Sequence, residues 1–277
     1  DYQWESSTED SSDIIMRLAM AHMSAILWMG DKDNGAELLQ YAKEFTGLEI
    51  PVLEIAIGNI DFDYHIDVGE IERFAEQLME FDLFEEGKWV SSGYSSPIQY
   101  VSGTVNESYI GNIESEIEEV GIACPPLLFC PPWFDVRKPS YEPAELRIGY
   151  INGDLHHLPL FIADRAGFFS DYNLSVVLKP FQNGASVMIE GFKMNSIDSG
   201  YLGIAPAMLY GVNANDRDDT RIEIISSVNY DGSAIMVRDG VENIKGLKNG
   251  RLATPGPGTV QYFLALKALE ENDLKPL

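Results

Sequence analysis

"LRIGYINGDLHHLPLFIADRAGFFSDYNLSVVLKPF" (residues 146–181) decides the fold class. Residues 146–151 read as a strand, a short apolar run that stops at the turn signal Asn152-Gly153. Residues 158–169 place apolar side chains at helical spacing with Gly167 near their end, and 174–181 return to a β-branched, apolar run. A strand, a helix and a strand in that order form the crossover that joins parallel neighbours. The pattern then continues with a helix over 184–194 and a short strand running into a helix over 199–211. Strands follow over 221–228 and 233–239, and the chain closes with a strand, a Gly/Pro turn and a helix over 251–277. Such alternation predicts an α/β fold with a largely parallel sheet covered on both faces.

Upstream the pattern is helical. Residues 13–29 and 31–46 carry apolar side chains at helical spacing, the second run ending at Gly47. Asp67 is placed to cap a third helix, with Glu70 three residues on to complete a capping box. The strand signal in this half is "PVLEIAI" at 51–57. From Ser91 to Pro143 the pattern loosens into Gly, Ser, Pro and short acidic stretches around one short helix at 112–120. The expected division is a helical segment over 1–95, a linker over 96–144, an α/β lobe over 145–239 and the start of a second lobe over 240–277.

With 277 residues and 45% hydrophobic composition, the chain has enough apolar surface for a substantial core. The formal charge is −25, and it is uneven: residues 1–140 hold seven basic and 27 acidic groups, residues 141–277 hold 12 and 17. That field repels nucleic acid and anionic membranes, so neither is expected as a partner. The first residues, DYQWESSTED, lack the positive and apolar regions of a signal peptide, and the chain contains no apolar run of membrane-spanning length. Cys124 and Cys130 in "CPPLLFCPP" are spaced to close a small disulfide loop outside the cytosol, and two free buried thiols remain equally compatible. No third or fourth ligand with metal-site spacing lies near them. Asn106-Glu-Ser and Asn173-Leu-Ser match the glycosylation acceptor pattern, which also arises by chance.

Ligands of parallel α/β sheets gather at the carboxyl ends of the strands. Five turns there combine small residues with polar ones: 150–157, 181–186, 200–206, 227–234 and 254–261. In "TPGPGTVQ" the amides of Thr259 and Val260 and the Thr259 hydroxyl are placed to hold an anion with help from the helix dipole, or Thr259 is simply an N-cap. The Gly-Lys-Ser/Thr ending of a phosphate-binding loop is absent. His156 and His157 are adjacent and diverge on a helix, so a hydrogen-bonding or partly buried imidazole is expected there rather than zinc. No HExxH, GxSxG or reactive Cys-His pairing occurs, and no cofactor is expected.

Residues 145–277, with "LRIGYINGDLHHLPLFIADRAGFFSDYNLSVVLKPFQNGASVMIEGFKM", "SGYLGIAPAMLYG", "SSVNYDGSAIMVRD" and "IKGLKNGRLATPGPGTVQYFLALKALEEN" in order, closely resemble the amino-terminal half of the nitrate/sulfonate/taurine (NMT1/THI5-like) solute-binding proteins of ABC importers. Residues 13–95, "RLAMAHMSAILWMG" through "IERFAEQLMEFDLF", resemble the helical carboxy-terminal portion of the same family. The two halves thus stand in reversed order. A section of tandem modules, a permuted chain and an incomplete one all produce that order; tandem modules also explain 96–144 as the link between one module and the next.

The resemblance implies a periplasmic-binding-protein-like (type II) two-lobe fold, one lobe complete and the second partial, closing around ligand by hinge bending. It implies that Asn152, Gly153, His156 and His157 line the cleft and that Gly203 and Ile204 offer backbone groups. Asn229, Tyr230 and Ser233 then supply side-chain contacts, and Gly258, Thr259 and Val260 complete the opposite wall. The implied partners are a small-molecule solute, an oxyanion or a neutral compound, and an ABC permease, in an extracytoplasmic location. A neighbouring chain or further residues are expected to cover the apolar faces that a half lobe leaves open. Two other readings keep the scaffold: a structural or assembly protein of such modules, and a thiamine-pyrimidine synthase-like enzyme, whose cysteine-rich motif "CPPLLFC" does not reproduce.

Overall fold

A computed structural model of the protein describes residues 8–81, 83–84, 93–119, 141–213 and 222–275. Its centre is the strand read first. β2 (Ala144–Ile151) buries Leu146 and Ile148 and pairs in parallel with β3 (Leu174–Phe181) over its full length, Ala144 facing Leu174 and Ile151 facing Phe181. On its other edge β2 pairs in parallel with the two-residue β4 (Ser199–Gly200), giving the order β3-β2-β4. The crossover from β2 to β3 is made by α7 (Leu158–Arg165) and α8 (Phe168–Asp171), separated at Gly167. Beyond β3, a turn of α-helix at Gly184–Ser186 runs into π-helical Val187–Phe192, and α9 (Ile204–Asn213) follows β4.

The helical half wraps this sheet. α1 (Thr8–Gly30), α2 (Gly35–Thr46) and α3 (Ile50–Ile57) place Leu18, Ala21, Ala25, Trp28, Leu38, Ala42 and Leu53 in one core with Ile148, Leu158, Ile162 and Phe169. Arg17, 2% exposed, fixes the register of α1 on the sheet. Its Nη1 donates to the carbonyls of Glu142, Tyr172 and Asn173, its Nε lies 2.9 Å from Asp13, and its guanidinium stacks over Tyr141. A second core joins α4 (Val68–Glu80) and α5 (Pro97–Thr104) to α9 and α10 (Val260–Glu270), through Ala75, Leu78, Tyr100, Val101, Met208, Val212 and Phe263. α6 (Ser108–Glu119) packs Ile110 and Ile113 on Ala19 and Met23 of α1. β1 (Ile60–Asp61) and β5 (Tyr230–Asp231) form a separate antiparallel pair.

The described residues therefore form a mixed α/β structure around a short parallel sheet, and several elements differ from the sequence reading. Residues 51–57 are helical, not a strand: Pro51 sits in the first turn, where it has no intrahelical donor to lose, and Leu53 and Ile57 enter the first core. The stretch 97–119, expected as linker apart from a short helix, is largely two helices with buried Tyr100, Val101, Ile110 and Ile113. Residues 222–228 make one parallel bridge, Ile224 to Val105, and 233–238 and 251–253 belong to no strand. β propensity becomes a strand only when a neighbour takes up the backbone hydrogen bonds, and no described strand lies alongside these segments. The capping box of α4 is half formed. Asp67 accepts the Glu70 amide, but its own amide bonds the Tyr230 hydroxyl while Glu70 turns to Arg73. Cys124 and Cys130 lie outside the described residues.

Candidate functional site

The carboxyl ends of the three parallel strands converge. The Asn152 amide donates to the Phe181 carbonyl, joining the ends of β2 and β3. A Cβ at Gly184 would stand 2.4 Å from Pro206 Cγ, so the turn after β3 lies directly on the start of α9. A Cβ at Gly203 would stand 3.0 Å from Val260 Cγ2, which sets the tip after β4 against the first turn of α10. These small residues serve close packing of one tip on the next.

The tip after β2 is the most polar part of this edge. Gly153 takes φ +71°, Asp154 caps the 3₁₀ turn Leu155–His157, and its carboxylate accepts from His156 Nδ1 at 2.7 Å. His156 Nε2 faces the Asp231 carbonyl at 3.3 Å, and the His156 carbonyl accepts from Asn229 Nδ2 at 2.7 Å. The hydrogen bond to Asp154 raises the His156 pKa against the opposing effect of burial. Asp154 is pushed up by burial, yet the bond from His156 and the nearby imidazoles hold it below the ordinary carboxylate value. Gly232 completes the contact: its φ is +80°, and a Cβ there would stand 2.6 Å from Ile60 and 2.7 Å from His156 Nε2. Only glycine combines that backbone with that proximity. The neighbouring Tyr230 hydroxyl donates to the His65 carbonyl and accepts from the Asp67 amide.

His157 plays a different part. It is buried, and its Nδ1 accepts the Ile151 amide at 2.9 Å, which completes the hydrogen bonding of β2 and puts the proton of the neutral ring on Nε2. Burial pushes its pKa down to about 4. Behind it, the Tyr201 hydroxyl donates to His22 Nδ1 at 2.7 Å, and His22 Nε2 donates to the Ser227 carbonyl at 2.7 Å. Since a carbonyl only accepts, this chain fixes the neutral tautomer of His22, whose pKa burial lowers to about 4. The three residues tie α1, the tip after β4 and the 222–229 segment together beneath the polar edge.

Of the residues singled out in the sequence, His156, Asn229 and Tyr230 meet in one cluster, which Gly232 joins, while Gly203 and Val260 meet in another. Ile204 enters the second core, and Gly258 lies 3.5 Å, by its Cβ position, from Leu209. Thr259 is an N-cap: its hydroxyl accepts the Tyr262 amide and donates to the Gly256 carbonyl. Ser233 is exposed. Asp154, His65 and Asp231 were not singled out as site residues in the sequence, and Asp67 was singled out only as a helix cap, a role it fills. The Asp-x-His spacing of 154–156 carried a local signal for the first, but nothing announced the meeting of 63–67 with 230–231 across the chain. There an open depression is lined by Asp63, His65, Asp67, Glu70, Glu107, Tyr230 and Asp231. His65 bridges Asp63 and Glu114 with its two ring nitrogens at 2.6 and 2.9 Å; burial opposes its charge, but the two carboxylates raise its pKa. Among the described residues no group of three or more His, Cys, Asp or Glu is arranged to hold a metal ion, and no helix is long and apolar enough to cross a membrane.

The described residues thus hold a short parallel sheet with polar turns gathered at its carboxyl edge, the side on which ligands of such sheets collect. Residues 140–276, the stretch that builds this sheet and edge, match the NMT1-like family. No curated protein and no solved structure matches the chain.

Proposed function

We propose that the protein is the solute-binding component of an ABC importer, working outside the cytoplasm and without catalysis. A small molecule rests on the edge formed by Asn152, Gly153, His156, Asn229 and Tyr230, with backbone groups of Gly203 and Ile204 beside it. Gly258, Thr259 and Val260 stand on the opposite wall, and the lobe begun by residues 240–277 closes over the ligand. One observation carries this reading: the segment that matches the NMT1-like family is the segment whose strand ends converge into a polar edge. The edge is also held firmly, since His156 is fixed by Asp154 and the 229–232 turn before any ligand arrives.

The surrounding charge favours a neutral polar solute over nitrate or a sulfonate. A ligand near Tyr230 meets the carboxylates of Asp63, Asp67, Glu70, Glu107 and Asp231, whereas the nearby basic groups are His65 and His156, each already hydrogen-bonded to a carboxylate. Like charges at such distances are costly unless paired. Titration calorimetry against nitrate, sulfonates and neutral pyrimidine precursors tests this. Heat from a neutral compound with none from the anions is expected; heat from the anions alone overturns the charge argument, and silence across a broad panel overturns the binding function.

A further inference from the structure

The ribbon of β1 and β5 pairs Ile60 with Asp231 and Asp61 with Tyr230, and a ladder that short does not hold by itself. The same short motif stands on both sides of it. In Asp63-Tyr64-His65 and in Asp154-Leu155-His156, one carboxylate oxygen accepts the amide of the histidine two residues on, at 3.0 and 3.1 Å. That oxygen also faces the histidine Nδ1, at 2.6 and 2.7 Å. The double contact aims the other ring nitrogen at a distant element. His65 Nε2 lies 2.9 Å from Glu114 of α6, and His156 Nε2 lies 3.3 Å from the Asp231 carbonyl of β5. The backbone of His65 joins the ribbon as well, since its carbonyl accepts the Tyr230 hydroxyl at 2.7 Å.

Donor and acceptor rules fix the proton count. Carboxylates and carbonyls accept, so all four ring contacts call for an N–H, and both imidazoles carry two protons in this geometry. A neutral imidazole has one. The adjacent aspartate, with the shorter contact, keeps it at Nδ1. Nε2 then turns a lone pair toward Glu114 or the Asp231 carbonyl, and acceptor meets acceptor. The effect is greatest at β5, where Asp231 and Gly232 take φ +63° and +80°, an arrangement that persists only while its surroundings hold it. The groups that face each ring favour the charged form. Around His65 these are Asp63 and Glu114, with the Tyr64 ring stacked at 4.3 Å and its hydroxyl on Glu114; around His156 they are Asp154 and the buried His157, which burial keeps neutral. Burial opposes the charge of His65 but its two carboxylates prevail, and the bond to Asp154 prevails over burial at His156.

We infer that the β1–β5 ribbon is a proton-operated clasp: while His65 and His156 each hold two protons it is closed on α6 and on the tip after β2, and loss of one proton from each ring to solvent frees 63–65 and 230–232. The clasp is complete below pH 6.5, the ordinary histidine value, and opens as pH rises through the higher values of the folded protein, the opposite sense to His22 and His157. His156 and Tyr230 stand in the proposed solute edge, so the order of that edge follows the clasp; this consequence rests on the solute reading, and the clasp does not.

Imidazole ¹⁵N shifts and amide spectra of the ligand-free chain, followed from about pH 5 to about pH 9, test it. Both ring nitrogens of His65 and of His156 are expected to be protonated at pH 6.5 and to titrate above it. Amides at 63–65, 113–115 and 230–232 are expected to shift and lose exchange protection with the midpoint of the ring that holds them. Asp154→Asn, which still caps the turn, is expected to lower the proton affinity of His156 about tenfold, and Glu114→Gln to lower that of the more exposed His65 severalfold. The wild-type titration decides by itself where a variant does not fold. A ring that titrates at or below 6.5, a ring titration that leaves those amides unmoved, or a folded variant whose histidine is unchanged overturns the inference. No solute enters the measurement, so its result is separate from that of the calorimetry.

Discussion

Acidification is the sharpest probe of the buried chain under the polar edge. His22 is enclosed, with Tyr201 donating to one ring nitrogen and the Ser227 carbonyl accepting from the other, so a proton added at Nδ1 displaces the Tyr201 donor and leaves a charged ring out of water. Its pKa falls from 6.5 in the unfolded chain to about 4 in the folded protein. The sign follows from proton uptake. Between those two values the unfolded chain binds a proton that the native state refuses, so stability present at neutral pH is lost as pH falls from 6.5 toward 4. From pH 7 to pH 5 the loss is about 2 kcal/mol for His22, with a similar amount for His157, whose pKa is also lowered to about 4. His65 and His156 act in the opposite direction, because their raised pKa values add stability as pH falls below them. The whole protein therefore shows a reduced slope, and the informative quantity is a difference. Urea unfolding at both pH values for wild type and His22→Gln isolates it. Glutamine keeps a donor and an acceptor but cannot titrate, so the variant is less stable at pH 7 yet loses about 2 kcal/mol less on going to pH 5. Equal pH dependence in the two proteins would refute the burial and tautomer assigned to His22.

Other perturbations follow from single contacts. Gly184→Val drives side-chain atoms into Pro206 and costs about 1–3 kcal/mol, measurable as a lower urea midpoint with unchanged slope. Arg17→Met removes the buried guanidinium that bonds the carbonyls of Glu142, Tyr172 and Asn173 and pairs with Asp13, and costs about 3 kcal/mol or more, seen as a large fall in melting temperature. Phe263→Ala, at a side chain 1% exposed between Phe74 and Phe81, costs about 3–5 kcal/mol in the same assay. Gly232→Val places a branched side chain on His156 Nε2 at a backbone angle that valine resists. It is expected to lower affinity for any solute found by calorimetry more than tenfold, at a cost in stability that the same unfolding measurements read separately.

The parts of the fold legible in the sequence were those set by local pattern. The strand at 146–151, the crossover helix, the strand at 174–181 and the helices around 13–29 and 31–46 all have complete apolar periods, and the structure has them in place, the last beginning with a 3₁₀ turn at Lys32–Asn34. The misread stretches are those whose state depends on distant neighbours. "PVLEIAI" was read as a strand from its apolar run, but it is a helix that shares a core with the adjacent α2 through Leu53. "SAIMVRD" has the composition of a strand but lacks a described partner. At the site, Asp154 and His156 stood close enough in sequence for their pairing to be read. The hydrogen bonds from Tyr230 to His65 and from Tyr201 to His22 join positions 165 and 179 residues apart, a separation at which a single sequence carries no signal. Thr259 illustrates the opposite case, since its hydroxyl is engaged as a helix cap, the simpler of the two roles that its sequence context allowed.

Amide chemical-shift mapping during titration with the compounds that give heat in calorimetry tests most directly whether the carboxyl edge of the sheet is the binding surface. Shifts concentrated at 152–157, 203–204, 229–233 and 258–260 are the predicted result. Shifts clustered on any other face, with that edge unmoved at saturation, would contradict it.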